Sequence, residues 1–343
     1  MIGPGNSGKS TMLKQIRKQT THKSLIEEWD FDKKFRLLSS NWIHCTLLLS
    51  KTIDNICHQS IQMVDVYDQE WISKLQQWLV IYAYTDFHIY TPHFWDTETL
   101  PLLKTIWTQE NAMHQILTVL SRHASYEMLS YLMNNQARLL QTSKNMIAQM
   151  SEEDCLRFRQ KTTSIQEYVY HVPGWREGTS IRVIDVGGQR NERGKWLSLF
   201  DTATVVVFVA SAADYHMMLE EDETQSAFLE CKHLFHHVCR HESMADKPII
   251  LLMNKIDLLP EQIKKWPLHH VFKDATPDLS CDIKRSIYFL QSKLMKSTAV
   301  TKRLKPIYSY TSSAIESTTF QQIWKVVEAT VLDENLEASG LPH

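Results

Sequence analysis

The rhythm of apolar positions changes along the chain. Residues 9–20 (KSTMLKQIRKQT) read as a helix that follows a glycine-rich loop. From about residue 25 to 150, long stretches keep helical spacing and contain few Gly or Pro. Trp42, Leu47, Leu49, Ile53 and Ile56 form one such row; Ile116, Val119 and Leu120, then Leu129 and Leu132, form another. Pro92 and Pro101 are expected to bracket a break between helices. This block is predicted to be all-helical.

Beyond residue 155 the pattern becomes strand-like. Ile181-Arg182-Val183-Ile184-Asp185-Val186 reads as a short strand ending in Gly187-Gly188. Val205 to Ala210 and Pro248 to Met253 are continuous apolar runs, as in strands buried on both faces. Residues 306–311 (PIYSYT) supply a fourth strand. Helical segments at about 219–240, 282–297 and 317–332 lie between and after them. Such alternation predicts an α/β fold with a mostly parallel sheet. The helical block then reads as an insertion after that domain's first helix. The boundaries expected are 1–23 for the loop and first helix, 24–152 for the insertion, and 153–343 for the remainder.

Composition narrows the setting. A chain of 343 residues allows roughly two domains. At 43% hydrophobic and 22% charged it can bury a core and remain soluble. A net charge of −2 gives no basic excess, which excludes nucleic acid as an expected partner. Six cysteines are scattered with no C-x-x-C pair, which favours a reducing compartment. No apolar run reaches the ~18 residues of a membrane span. With the loop starting at residue 3, no signal peptide is expected. Ile2 stands where myristoylation needs Gly.

Five motifs carry chemistry. Gly3-Pro4-Gly5-Asn6-Ser7-Gly8-Lys9-Ser10 matches the phosphate-binding pattern G-x-x-x-x-G-K-[ST] in full. Its backbone N–H groups and the following helix's positive end would cradle phosphates. Lys9 would neutralise phosphate charge, and the Ser10 hydroxyl would bind Mg²⁺. Asp185-Val186-Gly187-Gly188-Gln189 ends a strand. Asp185 can reach Mg²⁺ through water, Gly188 offers an N–H to a γ-phosphate, and Gln189 can orient an attacking water. Asn254-Lys255-Ile256-Asp257 ends the next apolar strand. Asp257 can accept from guanine's N1–H and 2-amino group; adenine offers neither, so a buried Asp would discriminate strongly. Ser312-Ser313-Ala314 could present a backbone N–H to guanine O6. Arg157-x-Arg159-x-Lys161-Thr162-Thr163 could supply a Thr to Mg²⁺ and an Arg to leaving phosphates. The cluster His236, His237, Cys239, His241 lacks a fourth ligand at matching spacing and reads as a helix face, not a zinc site.

Together these motifs resemble the α subunit of heterotrimeric G proteins. Asp185 to Trp196 (DVGGQRNERGKW) is similar to that family's switch II, and Asp154 to Ile165 (DCLRFRQKTTSI) to its switch I. Arf-type small GTPases share DVGGQ but lack an inserted domain. The resemblance implies a Ras-like P-loop GTPase domain with an inserted helical domain, GTP hydrolysis with slow intrinsic turnover, Mg²⁺, and bound GTP or GDP. It assigns Gly3, Gly5, Asn6, Ser7, Gly8, Lys9, Ser10 and Thr11 to the phosphates, with Leu156, Arg157, Arg159, Thr162, Asp185 and Gly188 completing that end. Asn254, Lys255, Asp257 and Ala314 would hold the base. Arg159 would be an arginine finger in cis, Gln189 the water-positioning residue, and Ser10 and Thr162 the Mg²⁺ ligands. Implied partners are a βγ dimer, a seven-transmembrane receptor through the C-terminus (Asn335 to Leu341), and an effector through switch II. Implied location is cytoplasmic, peripheral at the inner face of the plasma membrane.

The sequence departs from the family at four places. Asn6 replaces the Glu that pairs with the switch I arginine, so a weaker clasp and faster GDP release are expected. Ile315 replaces a base-loop Thr. Ser339 stands where several members carry a toxin-modified Cys. Only Met1 and Ile2 precede the loop, where the family has a lipidated helix and a central strand. Either the sequence is part of a longer protein, or it is a degenerate member of reduced stability; that helix supplies much of the family's βγ contact, and without that strand its neighbours are expected to keep unpaired backbone groups. Asn6, Ile315 and the short N-terminus favour a second reading, an adaptor that binds nucleotide and turns over little; Arg159, Thr162 and Gln189 favour the hydrolase. A small-molecule kinase would leave Asn254 to Asp257 unexplained.

Overall fold

The computed structural model describes residues 1–59, 69–82, 91–160, 162, 164–172, 175, 179–297, 300 and 303–338. Two compact units form, residues 1–23 with 161–343, and residues 24–160. The first helix, α1 (Lys9–Thr21), begins at a left-handed Gly8 (φ 97°) and buries Met12, Leu13 and Ile16.

The second unit is helical among its described residues: α2 (Leu25–Glu28), α3 (Phe31–Gln59), α4 (Gln69–Tyr82), α5 (Pro92–Phe94), α6 (Leu100–Trp107), α7 (Glu110–Val119), α8 (Tyr126–Leu139), α9 (Ser143–Ala148) and α10 (Glu152–Arg157). The long α3 is its spine. Trp42, Trp71, Trp78, Trp95 and Trp107 are all fully buried. Trp42 and Trp107 meet edge to face with centroids 4.7 Å apart. Buried ring N–H groups usually find an acceptor, and two of these do. Trp107 Nε1 donates to Thr46 Oγ1 at 2.8 Å, and Trp71 Nε1 to the Ile106 carbonyl at 2.8 Å.

The expected break between Pro92 and Pro101 is not there. Pro92 opens α5 under a Thr91 cap, a five-residue π-turn (Trp95–Thr99) follows, and α6 starts at Leu100. Proline is tolerated in the first turn of a helix, where its missing N–H is not needed. The widened π-turn accommodates Pro101 without ending the helical run.

In the first unit, β1 (Gln166–His171) pairs antiparallel with β2 (Ser180–Asp185). Next come α11 (Leu197–Phe200), β3 (Val206–Ser211), α12 (Ala227–Arg240), β4 (Ile249–Asn254), α13 (Leu259–Lys265), α14 (Leu268–Val271), α15 (Ile283–Met295), β5 (Ile307–Thr311) and α16 (Ser317–Ala338). Strands β3, β4 and β5 are parallel neighbours in that order. Every residue of β4 is buried, which is why its sequence is an unbroken apolar run. One face packs Phe208, Phe235 and Leu290; the other packs Met12, Leu252 and Phe320. The fold class expected from the sequence is the one observed, an α/β sheet domain with a separate helical unit.

Two sequence expectations differ in detail. Strand β1 was not foreseen, and α12 starts at Ala227 rather than near 219, because Ser226 caps it through the Leu229 N–H. Met1 and Ile2 continue the sheet. The Ile2 N–H donates to the Val207 carbonyl at 2.9 Å, and the Val209 N–H to the Ile2 carbonyl at 2.8 Å. The Met1 ammonium donates to the Ile184 carbonyl on β2.

Candidate phosphate and base site

All three parallel strands deliver loops to one end of the sheet, where α/β folds place their ligands. The Gly3–Ser10 loop arrives there from Ile2. It turns through left-handed backbone at Asn6 (φ 62°) and Gly8. Asn is among the few non-glycine residues that adopt this conformation readily. Within the loop the Ser7 hydroxyl donates to the Pro4 carbonyl at 3.0 Å. The Lys9 ammonium donates to the carbonyls of Gly3 (3.0 Å) and Pro4 (2.7 Å). Burial pulls that ammonium down to about 8, and the Asp185 carboxylate opposes the fall.

Three oxygens converge beside the loop. The Ser10 hydroxyl donates to Asp185 Oδ2 at 2.9 Å and lies 2.9 Å from Thr162 Oγ1. Asp185 is fully buried, and its Oδ1 has no hydrogen-bond partner among the described residues. Burial raises its carboxyl above the ordinary value, against the pull of Lys9 and Ser10. A buried carboxylate oxygen without a donor is costly unless something positive completes it. Two hydroxyls and a carboxylate are hard oxygen donors, the set that Mg²⁺ accepts alongside water and phosphate. The residues present fit that ion.

The Gly187-Gly188 pair lies tightly against this centre. A Cβ on Gly188 would sit 2.5 Å from the Gly3 carbonyl oxygen and from Lys9 Nζ. One on Gly187 would sit 2.5 Å from the Thr162 carbonyl oxygen. Neither position has room for a side chain. Gln189 follows, half-buried, with Cγ 3.7 Å from where a Gly5 Cβ would be. So the phosphate loop and the DVGGQ run come together. Downstream, Arg193 Nε donates to the Gly188 carbonyl at 3.1 Å, and Trp196 Nε1 to the Gly187 carbonyl at 3.0 Å. Arg193 and Arg190 both pair with Glu230 on α12, which anchors this segment.

The base-side loops are joined through Asn254. Its Nδ2 donates to the Ser7 carbonyl at 2.9 Å. Its Oδ1 accepts from the Ala314 N–H at 3.0 Å and from the Ser312 hydroxyl at 3.3 Å. The side chain thus ties the phosphate loop to the loop after β5. Lys255 sits in left-handed backbone (φ 61°), and its ammonium is 3.6 Å from Asp214. Asp257 is half-buried just beyond. Gln15 of α1, fully buried, donates to the Ala314 carbonyl at 2.9 Å.

Leu156, Arg157 and Arg159 belong to the helical unit. Leu156 is buried in that unit's core. Arg157 pairs with Glu153 at 2.6 Å and lies over the Tyr131 ring. The Asn41 amide clamps the Arg159 backbone from both sides, accepting its N–H at 3.1 Å and donating to its carbonyl at 3.0 Å. Asp154 anchors α10 by capping it through Ser151 and by pairing with Arg138 at 2.6 Å. Lys161, Thr163 and Ser339 to Leu341 lie outside the described residues. Asn41, Gln15 and Glu230 were missed in the sequence; each is a lone polar residue in a helical row, with no motif to mark it. Among the described residues no three His, Cys, Asp or Glu side chains gather as a metal set. His236 of the histidine cluster turns its Nε2 to the Leu294 carbonyl at 2.8 Å.

Comparison with known proteins shows the family. The family model for the G-protein alpha subunit matches residues 1–331. The chain is 27% identical to a G(o) subunit alpha of Caenorhabditis elegans, over 99% of this chain and 89% of that one. It is 26% identical to an alpha-4 subunit of Dictyostelium discoideum, over 98% and 89%, and 26% identical to an alpha-2 subunit of Saccharomyces cerevisiae, over 99% and 71%. With a phosphate loop, an oxygen-lined cation corner and a base loop gathered at one end of a parallel sheet, and a family match across nearly the whole length, the chain belongs to the G-protein alpha subunits, guanine nucleotide-binding signalling proteins.

Proposed function

We propose that the chain is a working GTPase switch, and that Ser10 and Thr162 hold its Mg²⁺, with Asp185 reaching it through water. The convergence of their oxygens at the buried Asp185 carboxylate is the observation that carries this reading. When bound, Mg²⁺ neutralises charge on the phosphate oxygens. Lys9 exchanges the loop carbonyls it now holds for phosphate oxygens. Gln189, placed over the loop, orients the attacking water. The Gly188 N–H engages the γ-phosphate, so the DVGGQ segment senses whether that phosphate is present. Arg159 supplies positive charge to the transition state. Asp257 reads guanine, while Asn254 and Gln15 hold the base loop in place. Nucleotide titration tests this: Mg²⁺-dependent binding of GTP and GDP, with ATP at least about a hundredfold weaker, is expected. Equal binding of ATP would overturn it.

Signalling partners follow from the same reading. The groove between the 190–200 segment and α12, with Trp196, Leu197 and Leu234 on its walls and His233, His237 and Arg240 along its rim, is the surface offered to an effector. A βγ dimer and a membrane receptor are the remaining partners, and they would keep the chain at the inner face of the membrane. No helix among the described residues is long and apolar enough to cross a bilayer. The adaptor reading rests on Asn6 and Ile315. Single-turnover hydrolysis no faster in the parent than in Gln189→Leu would favour it.

A further inference from the structure

Strand β1 pairs with β2 along one edge, and among the described residues no strand bonds to its other edge. One bond fixes which backbone groups that open edge offers. The Val172 N–H donates to the Thr179 carbonyl at 3.1 Å. These two residues continue the register in which His171 faces Ser180 and Tyr170 faces Ile181. In an antiparallel ladder, hydrogen-bonded and non-hydrogen-bonded pairs alternate. Tyr170 and Tyr168 therefore bond to β2, and the N–H and C=O groups of Glu167, Val169 and His171 point to the open edge.

The strand is held from one face. Its inner side carries Tyr168 and Tyr170, whose rings stack with centroids 5.9 Å apart. The Tyr168 hydroxyl bonds to Thr20 of α1, and the Tyr170 hydroxyl to Glu328 of α16. Its outer side carries Glu167, Val169 and His171, all exposed. Val169, the apolar residue at the centre of that row, is 52% exposed. Across on β2, Arg182 lies opposite Val169, with its guanidinium 3.9 Å from the Glu167 carboxylate. An anchored edge with an exposed valine at its centre is a template for another strand.

The same three residues say which strand. Laid antiparallel on a second copy with Val169 facing Val169, β1 puts Glu167 opposite the partner's His171 on both sides of the two-fold axis. All three pairs then use outward-pointing groups, so six N–H···O=C bonds form. On the inner side Tyr168 meets the partner's Tyr170. Moving the centre to Tyr168 would set Glu167 opposite Val169, and moving it to Tyr170 would set His171 opposite Val169. Both shifts lose the acid–imidazole pairs. Charged side chains on edge strands commonly repel other chains; here self-pairing in one register satisfies them.

We propose that β1 is a homodimerisation edge. Two copies of the chain join their antiparallel pairs into one four-stranded sheet centred on Val169. The contact is small, so a dissociation constant of roughly 10–500 μM is expected. Nucleotide takes no part in the argument, and the dimer stands or falls apart from the hydrolase reading.

The test is sedimentation equilibrium of the full chain up to about 1 mM, the limit of weak association. The mass rises with concentration from one copy towards two. Backbone amide hydrogen exchange over the same range slows by about threefold or more at Glu167, Val169 and His171, while Tyr168 and Tyr170, already bonded to β2, do not change with concentration. Val169→Pro removes the central donor from both copies and no bond to β2, which proline on an edge strand allows; it weakens the dimer by about tenfold or more. Glu167→Lys sets Lys opposite His, and His171→Glu sets Glu opposite Glu. Each weakens the dimer by about threefold or more, as like charges facing across a ladder do. The double variant sets Lys opposite Glu and restores the parent's constant or improves it. That recovery, with unchanged thermal melts by circular dichroism, separates pairing from damage to the fold. Four results would overturn the proposal: a chain that stays monomeric at about 1 mM, a dimer indifferent to Val169→Pro, concentration-dependent protection that misses the three outward amides, or a double charge variant as weak as the single ones.

Discussion

Asn254→Ala cuts the tie between the phosphate loop and the base loop. The Asn254 side chain is almost fully buried and makes three hydrogen bonds, to the Ser7 carbonyl, the Ala314 N–H and the Ser312 hydroxyl. Each such bond contributes about 0.5–1.5 kcal/mol net, and a buried partner left unsatisfied pushes the loss to the upper end. Ser7, Ser312 and Ala314 are all buried, so water does not readily replace the lost amide. The expected loss is about 2–4 kcal/mol. For a unit of this size 1 kcal/mol moves the melting temperature by about 2–4 °C, giving a fall of roughly 4–16 °C. Ser313→Ala is the matched control. Ser313 is equally buried in the same loop, but its hydroxyl has no hydrogen-bond partner among the described residues, so its removal is neutral or slightly stabilising. Thermal melts followed by circular dichroism, without nucleotide, compare the two variants with the parent. An Asn254→Ala melt within 2 °C of the parent, or a Ser313→Ala melt as low as that of Asn254→Ala, would refute the assignment of Asn254 as the tie.

Three further outcomes follow from single contacts. Gln15→Leu removes the bond to the Ala314 carbonyl without changing volume much, and stopped-flow GDP release should quicken by about tenfold, the equivalent of one buried hydrogen bond; an unchanged rate would remove Gln15 from the base loop's support. Burial alone would raise the Asp154 carboxyl, but hydrogen bonds from Arg138, Ser151 and Tyr131 outweigh it and hold the group below its ordinary range. Its stabilising contribution is therefore present above about pH 4 and lost as pH falls through the folded value. Hydrogen exchange in α8 and α10 should accelerate there in the parent and lose that pH dependence in Asp154→Asn. Asn6→Glu should slow GDP release by restoring the acid that the family pairs with the switch I arginine. It should also lower the melting point by a few degrees, since Glu tolerates φ 62° less well than Asn; equal release rates would dismiss the clasp.

The parts of the fold that could be read ahead were those with unmistakable patterns. Strands β3 and β4 are buried on both faces, so their sequences are apolar throughout and no helical spacing competes. Strand β1 escaped because it is an edge strand with one covered face. Only Tyr168 and Tyr170 turn inward, and the row Gln166-Glu167-Tyr168-Val169-Tyr170-His171 looks polar. What holds it is not in its own sequence: the Tyr170 hydroxyl donates to Glu328 at 2.6 Å and accepts from Trp324 Nε1 at 2.9 Å, both from α16. Pro101 misled for a different reason, because a proline in a first turn and a proline in a helix interior look alike in sequence. At the site, motifs pointed to Lys9, Ser10, Asp185, Gln189 and Asn254, whose spacing the chemistry constrains. Gln15 and Asn41 act through tertiary hydrogen bonds to residues 299 and 118 positions away, and no local pattern carries that.

Single-turnover hydrolysis of GTP in Mg²⁺ by the parent chain and by Gln189→Leu tests the central claim most directly. Misplacing the attacking water is expected to slow the step by about a hundredfold. Phosphate release from the parent that depends on Mg²⁺ and falls by that order in the variant is the predicted result. Equal, near-background rates in both would contradict it and leave a nucleotide-binding adaptor.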